Sequence, residues 1–467
     1  MTDKRGSVVV LGAGMGGLVA ARVLADHYAR VTIIERDRLP AEGPRKGVPQ
    51  GRHVHGLLAR GREALEELFP GLTRDVTAAG GLCVDLQNDC RWYQDGNLLR
   101  QEPSGLLGLL ASRPLLEATV RSHARALGNV TIRDGASCDR LLAEGGTVCG
   151  AVVEGIDVPA DLVVDATGQG SRTPRWLADL GREVPEIDQV PVDLAYASRV
   201  YRRHPEHLDG DTLVSIRPTP QVKRSGSALA MEGNRWLITL GGYRGERPPL
   251  DSKGYESYAD TILSGEIAAL MRTSEPLTEP VRFHYPKSRR VRYERLRDFP
   301  DGYLVFGDAI CTLTPSYGQG MTVAALQALA LRDCLGRPDL TRRFLARAAT
   351  LVDVAWGLAV GGDLRLAEVT GPRTPRVKIT HAYHARLRKA AAADGQLALA
   401  LLRVANLMDR PETLLTPPVA RRVLKANLPV LRPRAQAGSR LALGDLAGSG
   451  WAAEAGLTGR EPAPPAT

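Results

Sequence analysis

Two glycine-rich turns that lie far apart in this chain carry residue types suited to binding phosphate and a ring system. The first turn, GAGMGG at residues 12–17, follows the apolar run SVVVL and precedes a helical pattern. In such a strand–turn–helix unit, glycines permit a tight turn, close approach of the backbone to a pyrophosphate and close helix–strand packing. The phosphate then lies at the N-terminal end of the helix. The glycines concerned are Gly12, Gly14, Gly16 and Gly17.

A carboxylate follows this turn at the spacing expected for ribose binding. The next predicted strand, VTIIE, ends in Glu35, about 20 residues beyond Gly14, where an acidic side chain can accept hydrogen bonds from an adenosine ribose. An acidic residue at that place disfavours a 2′-phosphate. The motif therefore predicts bound FAD or NAD rather than NADP.

The second turn adds a feature that a simple NAD-dependent dehydrogenase does not need. A strand predicted over 303–306 ends at Gly307 and Asp308, and a helix is predicted to begin near Gly320. The Asp308 carboxylate can accept hydrogen bonds from a ribityl chain. The positive end of the helix dipole suits the N1–C2=O edge of a flavin, which is negative when reduced. Residues expected at the flavin are Pro315, Gly318, Gly320 and Met321, with Pro315 and Gly320 in the reactive environment.

Together the two turns resemble the flavin-dependent monooxygenases of the para-hydroxybenzoate hydroxylase superfamily, over residues 6–345. The segments RKGVPQGRHVHGLL and ADLVVDATGQGSR look closest to an actinobacterial branch that includes polyether-type olefin epoxidases, of lasalocid and monensin type. The resemblance implies an α/β fold. It consists of a Rossmann-like FAD-binding domain of the GR2 type, an inserted antiparallel-sheet substrate domain and a helical C-terminal region.

The resemblance also implies roles for individual residues. It places Glu35 on the ribose and Arg36 near the adenine. Arg113 would lie near the ribityl-phosphate, although it also suits an ordinary surface arginine at a helix start. The residues implied close to the flavin or around the cofactor are Arg45, Lys46, Gly47, Thr167 and Gly168.

One departure from the family leaves the electron donor open. Many members that use NAD(P)H carry Asp-Gly where this chain has Thr167-Gly168. Reducing equivalents are therefore expected either from NAD(P)H directly or from a separate flavin reductase, with O2 as co-substrate.

The predicted organisation interleaves cofactor and substrate segments. Residues 1–180 form the first part of the FAD-binding domain with interleaved substrate-domain segments, 181–290 the antiparallel substrate domain and 291–345 the second FAD-binding part. Alternating strands bounded by Pro, Gly and Asp support the sheet, and a helix is predicted over 254–271. A helical region is expected over 346–432, with an apolar helix at 395–408 that packs internally, and a flexible tail over 433–467.

Composition excludes several classes of function. The net charge of +9 is spread along the chain and the aromatic content is 5%, so there is no basic stripe with stacking platforms for nucleic acid. No run of 18 apolar residues is present, so no transmembrane segment is predicted. The six cysteines form no C-x-x-C pair, which predicts neither a zinc site nor disulfides and fits the cytoplasm.

The resemblance implies oxygen insertion through a C4a-hydroperoxyflavin, with few catalytic side chains. The favoured interpretation is epoxidation of a lipophilic alkene or polyene, because an apolar pocket suffices for this reaction. The substrate would belong to secondary metabolism, such as antibiotic biosynthesis. Hydroxylation of a phenol is the alternative and usually requires a base or hydrogen-bond partner. The residues able to serve are His53, His55, His284, Tyr201 and Tyr285. A flavin halogenase, a prenyl reductase and a non-enzymatic flavin sensor are further alternatives.

Overall fold

The computed structural model describes residues 6–40, 43–45 and 47–428. The strands are β1 Ser7–Leu11, β2 Arg30–Glu35, β3 Gly56–Leu57, β4 Leu82–Asp85, β5 Cys90–Gln94, β6 Asn97–Leu98, β7 Leu107–Leu110, β8 Val130–Asp134, β9 Cys138–Glu144, β10 Thr147–Val153, β11 Ile156–Pro159, β12 Leu162–Asp165, β13 Ile187–Arg202, β14 Leu213–Ile216, β15 Arg224–Met231, β16 Arg235–Tyr243, β17 Val281–Val291, β18 Tyr303–Val305 and β19 Cys311–Thr312. The helices are α1 Met15–Leu24, α2 Ala59–Leu68, α3 Leu72–Ala78, α4 Arg113–Arg125, α5 Thr173–Asp179, α6 Ser252–Ala259, α7 Glu266–Thr273, α8 Gly320–Cys334, α9 Leu340–Asp363, α10 Pro375–Ala391, α11 Gly395–Ala405 and α12 Pro417–Asn427.

A five-stranded parallel sheet positions the glycine-rich turns. Its strand order is β18-β12-β1-β2-β8. The apolar run of β1 is buried because helices cover both faces of such a sheet. In register, Leu11 at the end of β1 pairs with Asp165, and Asp165 pairs with Val305. The turns that follow β1, β12 and β18 therefore meet at one edge, where ligands bind in open α/β sheets.

An eight-stranded sheet forms the second layer, in the order β19-β17-β13-β16-β15-β14-β5-β6. It is antiparallel as predicted except for β14 and β5, which pair in parallel. One face is apolar and packs on α6 and α7, with Trp236, Ile238 and Leu240 buried against Tyr255 and Ile267. The side chains that alternate with these along each strand lie on the opposite face. That face is turned towards the parallel sheet and the C-terminal helices. The predicted α/β fold with an inserted substrate sheet and a helical C-terminal region is confirmed.

The single helix predicted over 254–271 is wrong. The structure has two helices, α6 and α7, because Ser264 and Gly265 adopt positive φ angles of 78° and 42°. Helix α6 already ends at Ala259, and the two positive φ angles redirect the chain immediately before α7 begins at Glu266. The predicted apolar helix at 395–408 is α11, and its Leu397 and Leu402 are buried against Leu229 and Leu237 of the sheet.

Within the described ranges, α9 is the one helix long and apolar enough to cross a membrane. Core helices meet the same criterion, and Phe344, Ala348 and Ala355 of α9 lie buried in the same cluster as the parallel sheet. The described residues up to Asn427 form one compact unit. The predicted domain boundaries stay predictions, and the predicted tail at 433–467 lies outside the described residues.

Candidate functional site

A cavity of about 690 Å³ opens at the edge of the parallel sheet where the turns meet. This volume is in the range of cofactor sites. Most of the residues predicted to bind a cofactor line it: Gly12, Gly14, Gly16, Glu35, Arg36, Arg45, Gly47, Arg113, Thr167, Gly168, Asp308, Pro315, Gly318, Gly320 and Met321. Gly17 and Gly307 support it from behind, and Lys46 lies outside the described residues.

The glycines of the first turn differ in what surrounds them. A Cβ at Gly17 would lie 1.8 Å from the carbonyl oxygen of Gly12, so close packing of α1 on β1 requires glycine there. Gly12 has a φ of +98°. Gly14 has no such constraint, since its added Cβ would meet only the guanidinium of Arg45, at 3.2 Å. The space in front of Gly14 is therefore open to a ligand.

Two helices begin at the cavity wall without a side-chain cap. The N-caps of α1 and α8 are Gly14 and Gln319, and neither residue caps its helix through a side-chain hydrogen bond. The first-turn N–H groups of a helix have no partner within the helix. Combined with the helix dipole, they make both ends suitable for anionic groups of a ligand.

The Asp308 carboxylate faces the cavity and accepts no hydrogen bond from the residues that the structure describes. Burial raises its pKa above the usual value, although the nearby Arg113 guanidinium opposes the shift. A Cβ at Gly320 would lie 3.7 Å from Asp308 Oδ1, which places the carboxylate beside the start of α8. Such an acceptor is suited to the hydroxyl groups of a ligand.

Glu35 organises the opposite end of the cavity. Its carboxylate accepts hydrogen bonds from the backbone of Ala13 at 2.7 Å and of Asp37 at 2.9 Å, and from Arg45 Nη1 at 2.9 Å. Arg45 Nε also pairs with Glu117 at 2.8 Å. A carboxylate has about four acceptor positions, so Glu35 retains room for a ligand hydroxyl. Arg45 thus lies beside the first glycine turn, at the end of the cavity where the ribose is predicted to bind.

Asp165, the first residue of the DATG segment, supports the site and does not itself line the cavity. It is fully buried, and it accepts hydrogen bonds from Thr167, Ser171 and Thr173. These bonds shape the DATG turn that lines the cavity. A polar residue at the end of a buried apolar strand was the available signal. Gln327 has a similar supporting role, since its side chain accepts the Gly307 N–H at 2.7 Å.

The second sheet forms the other wall of the site through Phe283 and Tyr285 of β17. His55 also lines the cavity, and burial and Arg113 lower its pKa to about 4. His53 lies behind it, with a pKa lowered to about 3, chiefly by burial. Both imidazoles are therefore neutral at neutral pH.

Two of the five residues considered for phenol chemistry lie elsewhere. Tyr201 is buried on the opposite face of the sheet with Trp236. His284 is exposed and pairs with Asp193 at 2.8 Å. Among the candidates, His55 and Tyr285 line the cavity, and His53 is buried next to His55.

The sequence profile of the FAD binding domain family matches residues 5–337. The chain belongs to the FAD-dependent monooxygenases. Protein Rv3254 of Mycobacterium tuberculosis is 33% identical to it, over 90% of this chain and 93% of that protein. The 6-methylpretetramide 4-monooxygenase of Streptomyces rimosus is 27% identical, over 84% and 93%. These relatives give no support to the polyether epoxidase branch.

Among solved structures, the flavin-dependent brominase Bmp2 superposes on this monooxygenase with a TM-score of 0.65, covering 90% of this chain and 98% of that one. At 14% identity this similarity shows the fold alone. The cavity fits FAD, because it combines an open glycine turn, two uncapped helix ends and an unpartnered carboxylate.

Proposed function

We propose that this FAD-dependent monooxygenase hydroxylates a phenol-bearing aromatic small molecule. The observation that carries the proposal is a row of hydroxyl groups on the sheet face that turns towards the cavity. The row crosses four strands as Ser215, Ser227, Thr239 and Ser198, which are direct cross-strand neighbours. Cross-strand neighbours in antiparallel pairs share one face.

The row lies on the cavity side of the sheet. Tyr196, two residues before Ser198, pairs with Phe283 of β17, which lines the cavity. Residues two apart on a strand share a face, so Ser198 and Thr239 point the same way as Phe283. The hydroxyls are close enough to interact, with Ser198 Oγ 2.5 Å from Thr239 Oγ1 and Ser227 Oγ 3.2 Å from Ser215 Oγ.

The row ends at a neutral histidine that can polarise it. His53 Nδ1 lies 2.7 Å from Ser198 Oγ, and Thr239 Oγ1 accepts the Val54 N–H at 3.2 Å. In the tautomer with its proton on Nε2, His53 accepts from Ser198 and Ser198 accepts from Thr239. Thr239 keeps one acceptor position for a substrate hydroxyl, and chained hydrogen bonds strengthen one another. A phenol bonded there gains electron density on its ring, whereas an alkene gains nothing.

The binding residues have distinct proposed roles. The N–H groups at the start of α1 hold the pyrophosphate in front of Gly14, Glu35 holds the ribose, and Asp308 holds the ribityl hydroxyls. Reduced FAD with O2 supplies the electrophilic oxygen atom; the protein positions the substrate and excludes water. Electrons come from NAD(P)H or a separate flavin reductase, and a cytoplasmic location and a lipophilic substrate remain part of the proposal.

Epoxidation of an alkene is the second candidate, because apolar side chains adjoin the hydroxyl row. Leu213, Leu229 and Leu237 lie on the same face and belong to one apolar cluster with α11. A pocket bounded by this cluster alone would suit a polyene.

The deciding experiment supplies the purified holoenzyme with NADH, NADPH or reductase-generated reduced flavin, together with a panel of phenols and polyenes. Mass analysis follows the gain of one oxygen atom. We expect phenols to gain oxygen and polyenes to remain unchanged. Oxygen gain by polyenes alone would overturn the phenol assignment in favour of epoxidation, and oxygen gain by neither would remove both.

A further inference from the structure

The 314–318 loop, which lines the cofactor cavity just before α8, is held by residues of α9 and of the eight-stranded sheet. Thr314 Oγ1 donates to Asp363 Oδ2 at 2.6 Å and lies 3.0 Å from Ser288 Oγ. The Tyr317 hydroxyl donates to Asp363 Oδ1 at 3.2 Å. A single carboxylate therefore receives both ends of the turn that contains Pro315.

Asp363 occupies a position that helix electrostatics disfavours. It is the last residue of α9, where the dipole is negative and a carboxylate is destabilising. It is also only 2% exposed. The preceding residue is shaped for the contact, since a Cβ at Gly362 would lie 2.0 Å from the Tyr317 hydroxyl. A buried acid kept at this helix end points to a role in holding the loop.

Two further residues of the eight-stranded sheet contact the same loop. Arg217, directly after β14, donates to the Ser316 carbonyl, and its guanidinium lies 4.3 Å from the centre of the Tyr317 ring. The Tyr243 hydroxyl of β16 donates to Ser316 Oγ at 3.1 Å. These strands also carry Ser215 and Thr239, so the loop connects the hydroxyl row to the cofactor cavity.

We propose that Asp363 is a positioning residue, whose negative charge clamps the 314–318 loop against the cofactor cavity and whose neutralisation loosens the loop and weakens FAD binding. Hydrogen bonds to an ionised acceptor are about twice as strong as those between neutral groups. Thr314 and Tyr317 therefore hold more tightly to the ionised carboxylate. The inference requires FAD in the cavity but not the identity of the substrate.

The charged and titratable groups around Asp363 set the pH range of this clamp. Burial raises the pKa of Asp363 to about 6, although Thr314 and Arg217 act in the opposite direction. Burial and Asp363 itself raise the pKa of Tyr317 and Tyr243 above the usual value, so both phenols stay neutral. From α10, His381 contacts the Gly361 carbonyl at 2.9 Å.

The test follows the visible spectrum of bound FAD and the FAD dissociation constant of the full-length protein between pH 5 and 8, without substrate. We expect both to change with a midpoint near pH 6. Asp363→Asn should lack this midpoint. At pH 8 it should bind FAD about threefold to tenfold more weakly than wild type, as expected for the loss of one charge-assisted interaction. Tyr317→Phe should change both in the same direction by less.

Asp333→Asn is the matched control, because Asp333 is an exposed carboxylate of α8 paired with Arg347. It should keep the wild-type profile. A wild-type spectrum and affinity that stay constant from pH 5 to 8 would overturn the proposal without any variant. The proposal would also be overturned if Asp363→Asn bound FAD with wild-type affinity and kept the pH midpoint near 6.

Discussion

Gly16 and Gly307 lie against each other: a Cβ built on Gly307 would be 3.7 Å from the Gly16 Cα. This contact joins the turn after β1 to the turn after β18. Both turns belong to neighbouring regions of one parallel sheet, separated by β12. Two segments that lie near opposite ends of the matched residues 5–337 are therefore in contact at the wall of the cofactor cavity.

Gly14→Val should give a folded protein that does not take up FAD. The φ of Gly14 is −72°, which any residue can adopt, and its Cβ position is open apart from Arg45. The added side chain would instead fill the space of the pyrophosphate. The visible absorbance of bound flavin after reconstitution, together with circular dichroism, checks this expectation.

Gly17→Val is the contrasting variant, since its Cβ would lie 1.8 Å from the Gly12 carbonyl oxygen. It should fail to fold, whereas Gly14→Val should fold but lack the visible absorbance of bound FAD. If Gly14→Val binds FAD like wild type, the phosphate assignment is wrong.

Asp308→Ala should weaken FAD retention by about tenfold or more, because it removes an acceptor for ribityl hydroxyls inside the cavity. The fold should survive, since the Asp308 side chain is exposed to the cavity and receives no hydrogen bond from the described part of the chain. Equilibrium dialysis of FAD measures the change. Asp301→Ala, an exposed aspartate before β18, is the control, and equal affinity of the two variants would remove the ribityl role.

Thr239→Val should lower kcat for a phenolic substrate by about fivefold to thirtyfold, the loss of roughly one hydrogen bond in the reacting complex. Valine keeps the shape of threonine and removes its hydroxyl. FAD binding should not change. Steady-state kinetics with the best phenol from the panel measure the effect.

Tyr201→Phe provides the comparison for this variant, because Tyr201 lies on the opposite face of the same sheet. It should leave kcat at the wild-type value. A Thr239→Val enzyme with unchanged kcat on the phenol would show that the hydroxyl row does not contact the reacting group.

Asp363→Asn should raise the thermal stability of the holoenzyme at pH 7 although it weakens FAD binding. The pKa of Asp363 is about 6 in the folded protein, above its ordinary value of 3.8, so the folded state binds the proton more tightly. The free energy of unfolding then falls as pH rises from about 4 to 6, and the ionised group costs about 3 kcal/mol at pH 7.

A tenfold loss of FAD affinity is worth about 1.4 kcal/mol, so the gain prevails with saturating FAD. Tm measured at pH 4.5 and pH 7 checks the sign, since the advantage of the variant should shrink at the lower pH. A variant less stable than wild type at pH 7 would contradict the raised pKa.

Residue types and spacing predicted the two glycine turns, and from them an FAD-binding protein with an α/β fold. They also predicted roles for Glu35 and Asp308 in FAD binding, which stay predictions. Local patterns suffice there, because a strand–turn–helix unit is set by neighbouring residues and the ligand fixes the residue types. The single helix at 254–271 failed for a local reason too, since helical periodicity does not reveal two successive positive φ angles.

The grouping of polar residues on the eight-stranded sheet could not be predicted from sequence. Ser198, Thr239 and His53 come from separate segments, and nothing in their sequence neighbourhoods distinguishes them from structural residues. Strand register places Ser198 and Thr239 side by side on one face and Tyr201 on the opposite face, and packing brings His53 against Ser198. The proposed role of Asp363 likewise depends on tertiary packing. Its burial at the end of α9 and its contact with Thr314 arise only when distant segments fold against each other.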